Sequence, residues 1–102
     1  MTPPLKFIIL DDDPVNNFIC KEVIKLTFKE PQVVLDFTNP EKCLEYITAH
    51  FKGNPECAPI ALFVDINMPI MSGWEFLEKF SQLDESVRKM FDIYMISSSI
   101  NP

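Results

Sequence analysis

Residues 62–73 read LFVDINMPIMSG, and this stretch decides the predicted fold. Three apolar residues run directly into a single acid, Asp65, and Gly73 precedes the next apolar period. The pattern predicts a buried strand that presents one carboxylate to a loop. In open α/β sheets, ligands collect outside the carboxyl ends of the parallel strands. Asp65 is therefore the first candidate for a reactive group.

Strands and helices alternate through the rest of the chain. Short apolar runs at 6–10, 32–37 and 93–96 predict three strands in addition to the one at 60–64. Three helices are predicted between them, beginning near Pro14, near Asn39 and Pro40, and after Gly73. The β-α-β-α-β-α-β order predicts a single α/β domain over 1–102, with a parallel sheet and helices on both of its faces.

Each predicted helix has an apolar stripe at helical spacing. In the first, Asn17, Lys21 and Lys25 lie on the side opposite the stripe. After the third helix, Asp84 is expected to cap one additional helical turn. The apolar residues are Val15, Ile19, Val23 and Leu26 in the first helix, Cys43, Leu44, Ile47 and Phe51 in the second, and Phe76, Leu77, Phe80 and Leu83 in the third.

Composition excludes several classes of protein. A chain with 47% apolar residues is not a disordered one, and a net charge of −6 without clustered basic residues argues against nucleic-acid binding. The apolar run after Lys6 is too short for a signal peptide or a membrane span. The three cysteines (Cys20, Cys43 and Cys57) show no metal-binding spacing, so we expect reduced thiols in a cytoplasmic protein.

Polar groups follow three of the four predicted strands. Asp11 and Asp12 come after the first, Asp65 after the third and Ser97 after the fourth. Because parallel strands end at one edge of the sheet, these residues are expected to meet there. Carboxylates so close repel one another unless a cation lies between them, and Mg²⁺ prefers such oxygen ligands. Asp65 is then suited to attack phosphorus, with the Ser97 hydroxyl donating a hydrogen bond to a phosphoryl oxygen.

Taken singly, these features have simpler explanations. An acid after a strand is commonly a turn former or a helix cap, as we expect for Asp13 before Pro14. The joint pattern, however, resembles the receiver domain of two-component response regulators. Its most specific part is VDINMPIMSG, which is close to the family signature D-x-x-M-P-x-M-x-G. The resemblance implies a flavodoxin-like, doubly wound sheet with strand order 2-1-3-4(-5).

The resemblance also implies a role for each matching residue. Asp65 is the expected phosphoacceptor, and Asp11, Asp12, Asp65 and the backbone carbonyl of Asn67 are the expected Mg²⁺ ligands. Ser97 matches the switch hydroxyl, Ser98 the small residue after it, and Asn67 and Ser99 the positions that tune the lifetime of the acyl phosphate. The phosphoryl donor in this family is a histidine kinase or a histidine phosphotransfer protein. The domain is thus expected to be a signalling module and not an enzyme with its own substrate.

One part of the family pattern does not match. Receivers continue past the switch serine with a helix, a fifth strand that ends in Lys-Pro, and a final helix. We therefore expect this sequence to be a fragment of a longer chain, or else to complete itself by swapping or dimerising. Taken alone, these residues are expected to bind Mg²⁺ but to be phosphorylated, and to switch, poorly.

Two other functions compete with this interpretation. IILDDDPV also fits the nucleophile motif of haloacid-dehalogenase-like phosphatases, with Asp11 as nucleophile and Asp13 as acid/base and with IYMIS supplying the second motif. That reading leaves VDINMPIMSG unexplained. The second alternative is a receiver-like docking module that is not phosphorylated.

Overall fold

A four-stranded parallel sheet forms the centre of the chain, seen in a computed structural model that describes residues 5–51 and 59–96. The strands are β1 (Leu5–Leu10), β2 (Gln32–Phe37), β3 (Ile60–Asp65) and β4 (Phe91–Ile96). Their order in the sheet is β2-β1-β3-β4. The predicted α/β class and the flavodoxin-like order are both confirmed. β1 and β3 are neighbours, so the acids that follow them lie at adjacent strand ends.

Among the described residues, four helices connect the strands: α1 (Pro14–Thr27), α2 (Pro40–Phe51), α3 (Gly73–Phe80) and the single turn α4 (Glu85–Arg88). Capping side chains explain where the longer ones begin. Asp13 Oδ1 accepts a hydrogen bond from the Val15 amide at 2.9 Å, and Asn39 Oδ1 accepts one from the Glu41 amide at 2.9 Å. The cap predicted at Asp13 is therefore present. Asp84 precedes α4 as predicted, but its side chain makes no capping bond.

The two faces of the sheet carry cores of unequal size. On one face, residues of β1 and β3 pack with α2, α3 and α4, and Leu62, Val64 and Phe76 are completely buried there. The cluster on the other face is small and consists of Phe7, Ile9 and Ile24, with partly buried neighbours. Fully burying one large apolar side chain contributes roughly 1.5–3 kcal/mol. The larger cluster therefore supplies most of the hydrophobic stabilisation in the described part of the chain.

The orientation of α1 differs from the amphipathic pattern. The predicted stripe of Val15, Ile19, Val23 and Leu26 faces outward, and each of these side chains is more than half exposed. Asn17, which the pattern assigns to the polar side, is completely buried. The side of α1 that packs on the sheet carries Asn17, Ile24 and the partly buried Cys20. Periodicity fixes the spacing of a stripe but not the direction it faces, so this prediction was wrong.

The remaining differences are small. β4 begins at Phe91, two residues before the predicted start at Ile93. Cys43 is a free thiol, and burial raises its pKa to about 12. Within the described ranges, none of the helices combines the length and the apolar character that crossing a bilayer requires. Cys57 and the serines at 97–99 lie outside the described residues.

Candidate functional site

Three carboxylates meet where β1 and β3 end. Asp11, Asp12 and Asp65 each bring one carboxylate oxygen to a position within 4.8 Å of the other two. Asp11 and Asp65 are buried, and Asp12 is exposed. The parallel pairing places Leu10 opposite Val64, so the acids that follow these two residues are held at neighbouring positions by the backbone of the sheet.

The two oxygens of Asp65 differ in their surroundings. Oδ1 accepts a hydrogen bond from the amide of Asn67 at 3.2 Å. Oδ2 is buried and finds no hydrogen-bond partner among the residues that the structure describes. The residue as a whole is 1% exposed. A buried carboxylate oxygen without a partner is costly, and a cation or a strong donor removes that cost.

In the turn formed by residues 11–13, Asp11 is buried and Asp12 is exposed. Asp11 Oδ1 accepts a hydrogen bond from the amide of Asp13 at 2.9 Å, which folds the chain back after β1. The side chain of Asp12, between these two residues, is exposed to solvent. Partial loss of hydration, and after it the negative charge of Asp65, raise the pKa of the Asp12 carboxyl above its usual value. The carboxylates of Asp12 and Asp65 therefore repel each other, and a cation between them would offset that repulsion.

The donor set fits a divalent cation. It consists of hard carboxylate oxygens, two of its three residues are buried, and one buried oxygen has no hydrogen-bond partner in the described part of the chain. Neither cysteine nor histidine belongs to this group, so a metal that prefers sulfur or nitrogen ligands is a poorer match. Asp11, Asp12 and Asp65 could therefore hold a metal ion together.

The loop after Asp65 is fixed at both ends. The amide of Ile66 donates to the carbonyl of Ile96 at 2.8 Å, and the amide of Gly73 donates to the carbonyl of Ile66 at 2.9 Å. Between these points Met68 and Met71 are buried in the larger core, whereas Asn67, Pro69 and Ile70 are exposed. The two buried methionines thus anchor the loop on either side of Pro69 and Ile70.

A capping box begins the helix that follows this loop. The Ser72 hydroxyl accepts from the amide of Glu75, and the Glu75 carboxylate accepts from the amide of Ser72. Their spacing, S-x-x-E, is a signal that sequence reasoning could have used and did not. The cap fixes α3 against the end of β3, close to Asp65.

Sequence reasoning also missed Asn17. Its Nδ2 donates to the carbonyl of Asp11 at 3.0 Å and to the carbonyl of Phe37 at 3.3 Å. The side chain therefore joins the ends of β1 and β2 from beneath α1 and supports the turn that carries Asp11 and Asp12. Nothing in the local sequence distinguishes it from its neighbour Asn16, which is only partly buried.

Replacing Asn17 with alanine is expected to lower the free energy of unfolding by about 2 kcal/mol, since two carbonyls lose a buried donor. Urea denaturation measures this effect. Asn16→Ala, at the partly buried neighbouring position, serves as the matched control and should change stability by less than about 0.5 kcal/mol. Equal effects of the two substitutions would argue against a special role for Asn17.

The fourth strand ends beside the acidic cluster. Ile96, the last residue of β4, pairs with Asp65 in the sheet. Ser97 follows Ile96 in the sequence, but Ser97, Ser98 and Ser99 lie outside the described residues, so their predicted roles remain predictions.

Known structures resemble this one, although comparing the sequence with protein families and with curated proteins finds no match. A response regulator receiver protein from Dyadobacter fermentans superposes with a TM-score of 0.75 at 26% identity, over 95% of this chain and 71% of that one. A two component response regulator from Cytophaga hutchinsonii superposes with a TM-score of 0.78 over 98% of this chain and 74% of that one. The second, at 23% identity, shows the fold alone. The chain therefore has the fold of a response regulator receiver domain, as its motifs indicated.

Proposed function

We propose that this chain accepts a phosphoryl group on the carboxylate of Asp65, in the presence of Mg²⁺, from a phosphohistidine of a kinase or phosphotransfer protein. The proposal rests mainly on one observation. The Asp65 Oδ2 atom is buried and has no hydrogen-bond partner within residues 5–51 and 59–96, and the Asp65 carboxylate lies within 4.8 Å of ligand atoms of Asp11 and Asp12. A group with a free oxygen in a charged, partly dehydrated setting is suited to nucleophilic attack.

The proposed step is an in-line displacement at phosphorus. An oxygen of Asp65 attacks, forming a carboxylate–phosphorus bond, while the bond between phosphorus and the histidine nitrogen breaks. The imidazole leaves with the electron pair of that bond and takes up a proton. Asp11, Asp12, Asp65 and the backbone carbonyl of Asn67 would hold Mg²⁺, which when bound offsets the negative charge on the transferring group.

The remaining roles follow the family resemblance. The hydroxyl of Ser97 would donate a hydrogen bond to a phosphoryl oxygen and so couple phosphorylation to a change of conformation. Ser98 is the small residue that leaves room for that movement. Asn67 and Ser99 match the two positions that tune the lifetime of the acyl phosphate and would do so here. The domain would thus transmit a signal, and its only chemistry would be its own phosphorylation and dephosphorylation.

Labelling with a low-molecular-weight phosphoryl donor tests the proposal. The chain is incubated with excess acyl phosphate and Mg²⁺, and the site of the adduct is mapped by borohydride reduction and peptide mass spectrometry. We expect slow and incomplete uptake of a phosphoryl group, all of it on Asp65, and no uptake when Mg²⁺ is chelated.

The same experiment decides between the alternatives. An adduct on Asp11 would support the phosphatase reading, in which Asp13 acts as acid/base. The phosphatase reading is weakened by Asp13, because its carboxylate caps α1 by accepting from the amide of Val15 and is therefore engaged as a cap. A chain that binds Mg²⁺ but takes up no phosphoryl group would instead be a docking module.

Replacing Asp12 with asparagine is expected to weaken Mg²⁺ binding at least tenfold, because the substitution removes an exposed carboxylate ligand. Isothermal titration calorimetry measures the affinity. Asp13→Asn is the matched control: it removes the same charge from the adjacent residue, and asparagine still caps a helix well. A loss in Asp13→Asn as large as that in Asp12→Asn would indicate a general charge effect and not a ligand.

A further inference from the structure

The buried side chain of Asn17 reaches the ends of two strands from the first turn of α1. Its Nδ2 atom donates to the carbonyl of Asp11, which follows β1, at 3.0 Å. It also donates to the carbonyl of Phe37, which ends β2, at 3.3 Å. An amide nitrogen has two N–H groups, and these two acceptors match that number. Asn17 is therefore a link between two strand ends, one of which leads into the acidic cluster.

Asp11 is held by hydrogen bonds at three of its atoms. Its amide donates to the carbonyl of Phe37 at 3.1 Å, which joins the two strand ends directly. Its Oδ1 accepts from the amide of Asp13 at 2.9 Å, which closes the turn. Its carbonyl accepts from Asn17. Of these three bonds, the one from Asn17 is the one that a side chain outside the turn supplies.

The carbonyl that Asn17 holds affects the position of Asp12. It belongs to the peptide group that joins Asp11 to Asp12, and a peptide group is planar. Fixing its oxygen therefore fixes the direction in which the chain enters Asp12. Because Asp12 is exposed, packing against the core contributes little to its position. Asp65, by contrast, ends the central strand β3 and is positioned by the sheet. Loss of Asn17 is thus expected to displace Asp11 and Asp12 relative to Asp65.

The other polar atom of the Asn17 amide argues against a role in stability alone. Its Oδ1 is buried and has no hydrogen-bond partner within residues 5–51 and 59–96. A buried acceptor without a donor lowers stability, and an apolar side chain of the same size avoids that loss. The favourable contribution of the amide therefore comes from the two bonds that Nδ2 donates, and both of them act at the strand ends beside the acids.

We propose that Asn17 is a positioning residue for the metal site and keeps the carboxylates of Asp11 and Asp12 where they can bind a cation together with Asp65. Each of these three acids brings one oxygen within 4.8 Å of the other two. The inference rests on the function proposed above, and it assigns to that site a residue outside the proposed ligand set. Hydrogen bonds that orient metal ligands commonly change metal affinity by about 10–100-fold.

Calorimetric titration of Asn17→Leu with Mg²⁺ tests the proposal. Leucine has nearly the size of asparagine, so it fills the buried position but removes the donor. We expect the dissociation constant of Mg²⁺ to rise by about tenfold or more. Asn16→Leu, the same change at the partly buried neighbouring position, should alter the constant by less than about twofold. Circular dichroism verifies folding, and Asn17→Ala, which cannot overpack the site, gives the same test if leucine prevents folding.

A second control separates positioning from stability. Ile24 is buried on the same side of α1 and belongs to the smaller cluster. Ile24→Val removes part of the packing that holds the helix to the sheet, but it changes nothing in the turn that carries the acids. We expect a lower denaturation midpoint in urea and an unchanged affinity for Mg²⁺. If Asn17→Leu and Ile24→Val both lose affinity in proportion to their loss of stability, the positioning role is wrong.

Amide hydrogen exchange, followed by NMR in the absence of metal, tests the same role independently. The amides of Asp11 and Asp13 make the bonds that hold the turn, whereas the amide of Ile66 follows Asp65. In Asn17→Leu we expect the first two amides to exchange about tenfold faster or more, because the turn opens locally. The amide of Ile66 should keep its wild-type rate. Equal acceleration of all three would indicate a general loss of stability and overturn the proposal.

The outcomes distinguish failure of this proposal from failure of the proposed function. A wild type that binds no Mg²⁺ would overturn the function proposed for Asp65, and the positioning role with it. If the wild type binds Mg²⁺ and Asn17→Leu binds it equally well, the metal site stands and the role of Asn17 is wrong. Exchange rates in Asn17→Leu that equal those of the wild type would show that Asn17 does not hold the turn.

Discussion

Replacing Asp65 with asparagine is expected to abolish phosphorylation and, at the same time, to stabilise the metal-free protein. Phosphorylation is lost because an amide oxygen is a far weaker nucleophile than a carboxylate. Stability rises because one of three carboxylates within 4.8 Å of one another loses its charge. Coulomb's law at an effective dielectric constant of about 20 gives roughly 3–4 kcal/mol for each pair of charges at this separation. Solvent around the exposed Asp12 screens part of it, so we expect a net gain on the order of 1–3 kcal/mol. Activity and stability thus change in opposite directions, as is common at functional sites.

Two measurements check this expectation. Phosphoryl uptake from acyl phosphate is followed by intact-mass spectrometry, and stability is followed by urea denaturation in the presence of a chelator. Asp92→Asn, at an exposed residue of β4 outside the cluster, is the matched control and should alter neither quantity by much. Saturating Mg²⁺ should reduce the stability difference, because the wild type binds the ion more tightly than the variant does. A less stable Asp65→Asn variant would show that the acids do not repel one another.

Replacing Gly73 with alanine is expected to destabilise the fold by about 3 kcal/mol or more, which is at the upper end for an overpacked site. A Cβ atom at this position would lie 2.6 Å from the carbonyl oxygen of Asp65, 2.8 Å from Cε of Met95 and 2.9 Å from Cα of Ile66. Two of these three atoms belong to the backbone that carries the proposed phosphoacceptor. The clash can therefore be relieved only by moving α3 or the end of β3.

The denaturation midpoint of Gly73→Ala gives the size of this effect, and a second substitution identifies its source. Met95→Ala removes the flexible side chain from the contact but leaves both backbone atoms in place. We expect the double variant to remain destabilised. Full recovery of stability in the double variant would show that only the Met95 side chain matters. Trp74→Ala, at the exposed residue that follows, is the control for a change at this end of α3 and should have a small effect.

The parts of the fold that sequence reasoning obtained correctly are those governed by local patterns. Continuous apolar runs identified all four strands, and Asp13 and Asn39 identified the starts of α1 and α2. The strand order followed from the family resemblance, and neither periodicity nor composition could have supplied it. Asp11, Asp12 and Asp65 lie together as expected, because the ends of neighbouring parallel strands are necessarily close.

The errors concern α1, where the sequence contains two competing patterns. Val15, Ile19 and Val23 give the stronger apolar periodicity, yet Ile24 and the polar Asn17 face the sheet. Hydrogen bonds contribute to this orientation, because Asn17 Nδ2 donates to the carbonyl of Asp11 and to that of Phe37, which also accepts from the amide of Asp11. One acceptor follows β1 and the other ends β2. Their proximity exists only after the sheet has formed.

The unequal cores imply that parts of the molecule differ in how readily they open. The proposed phosphoacceptor ends β3, a central strand whose completely buried residues belong to the larger cluster. α1, by contrast, is held by a small cluster and a few polar contacts. Local opening costs least where few apolar contacts must be broken. α1 is therefore expected to open more readily than β3. Because Asn17 of α1 supports the turn of Asp11 and Asp12, such opening would loosen these two acids while Asp65 stays in place on the central strand.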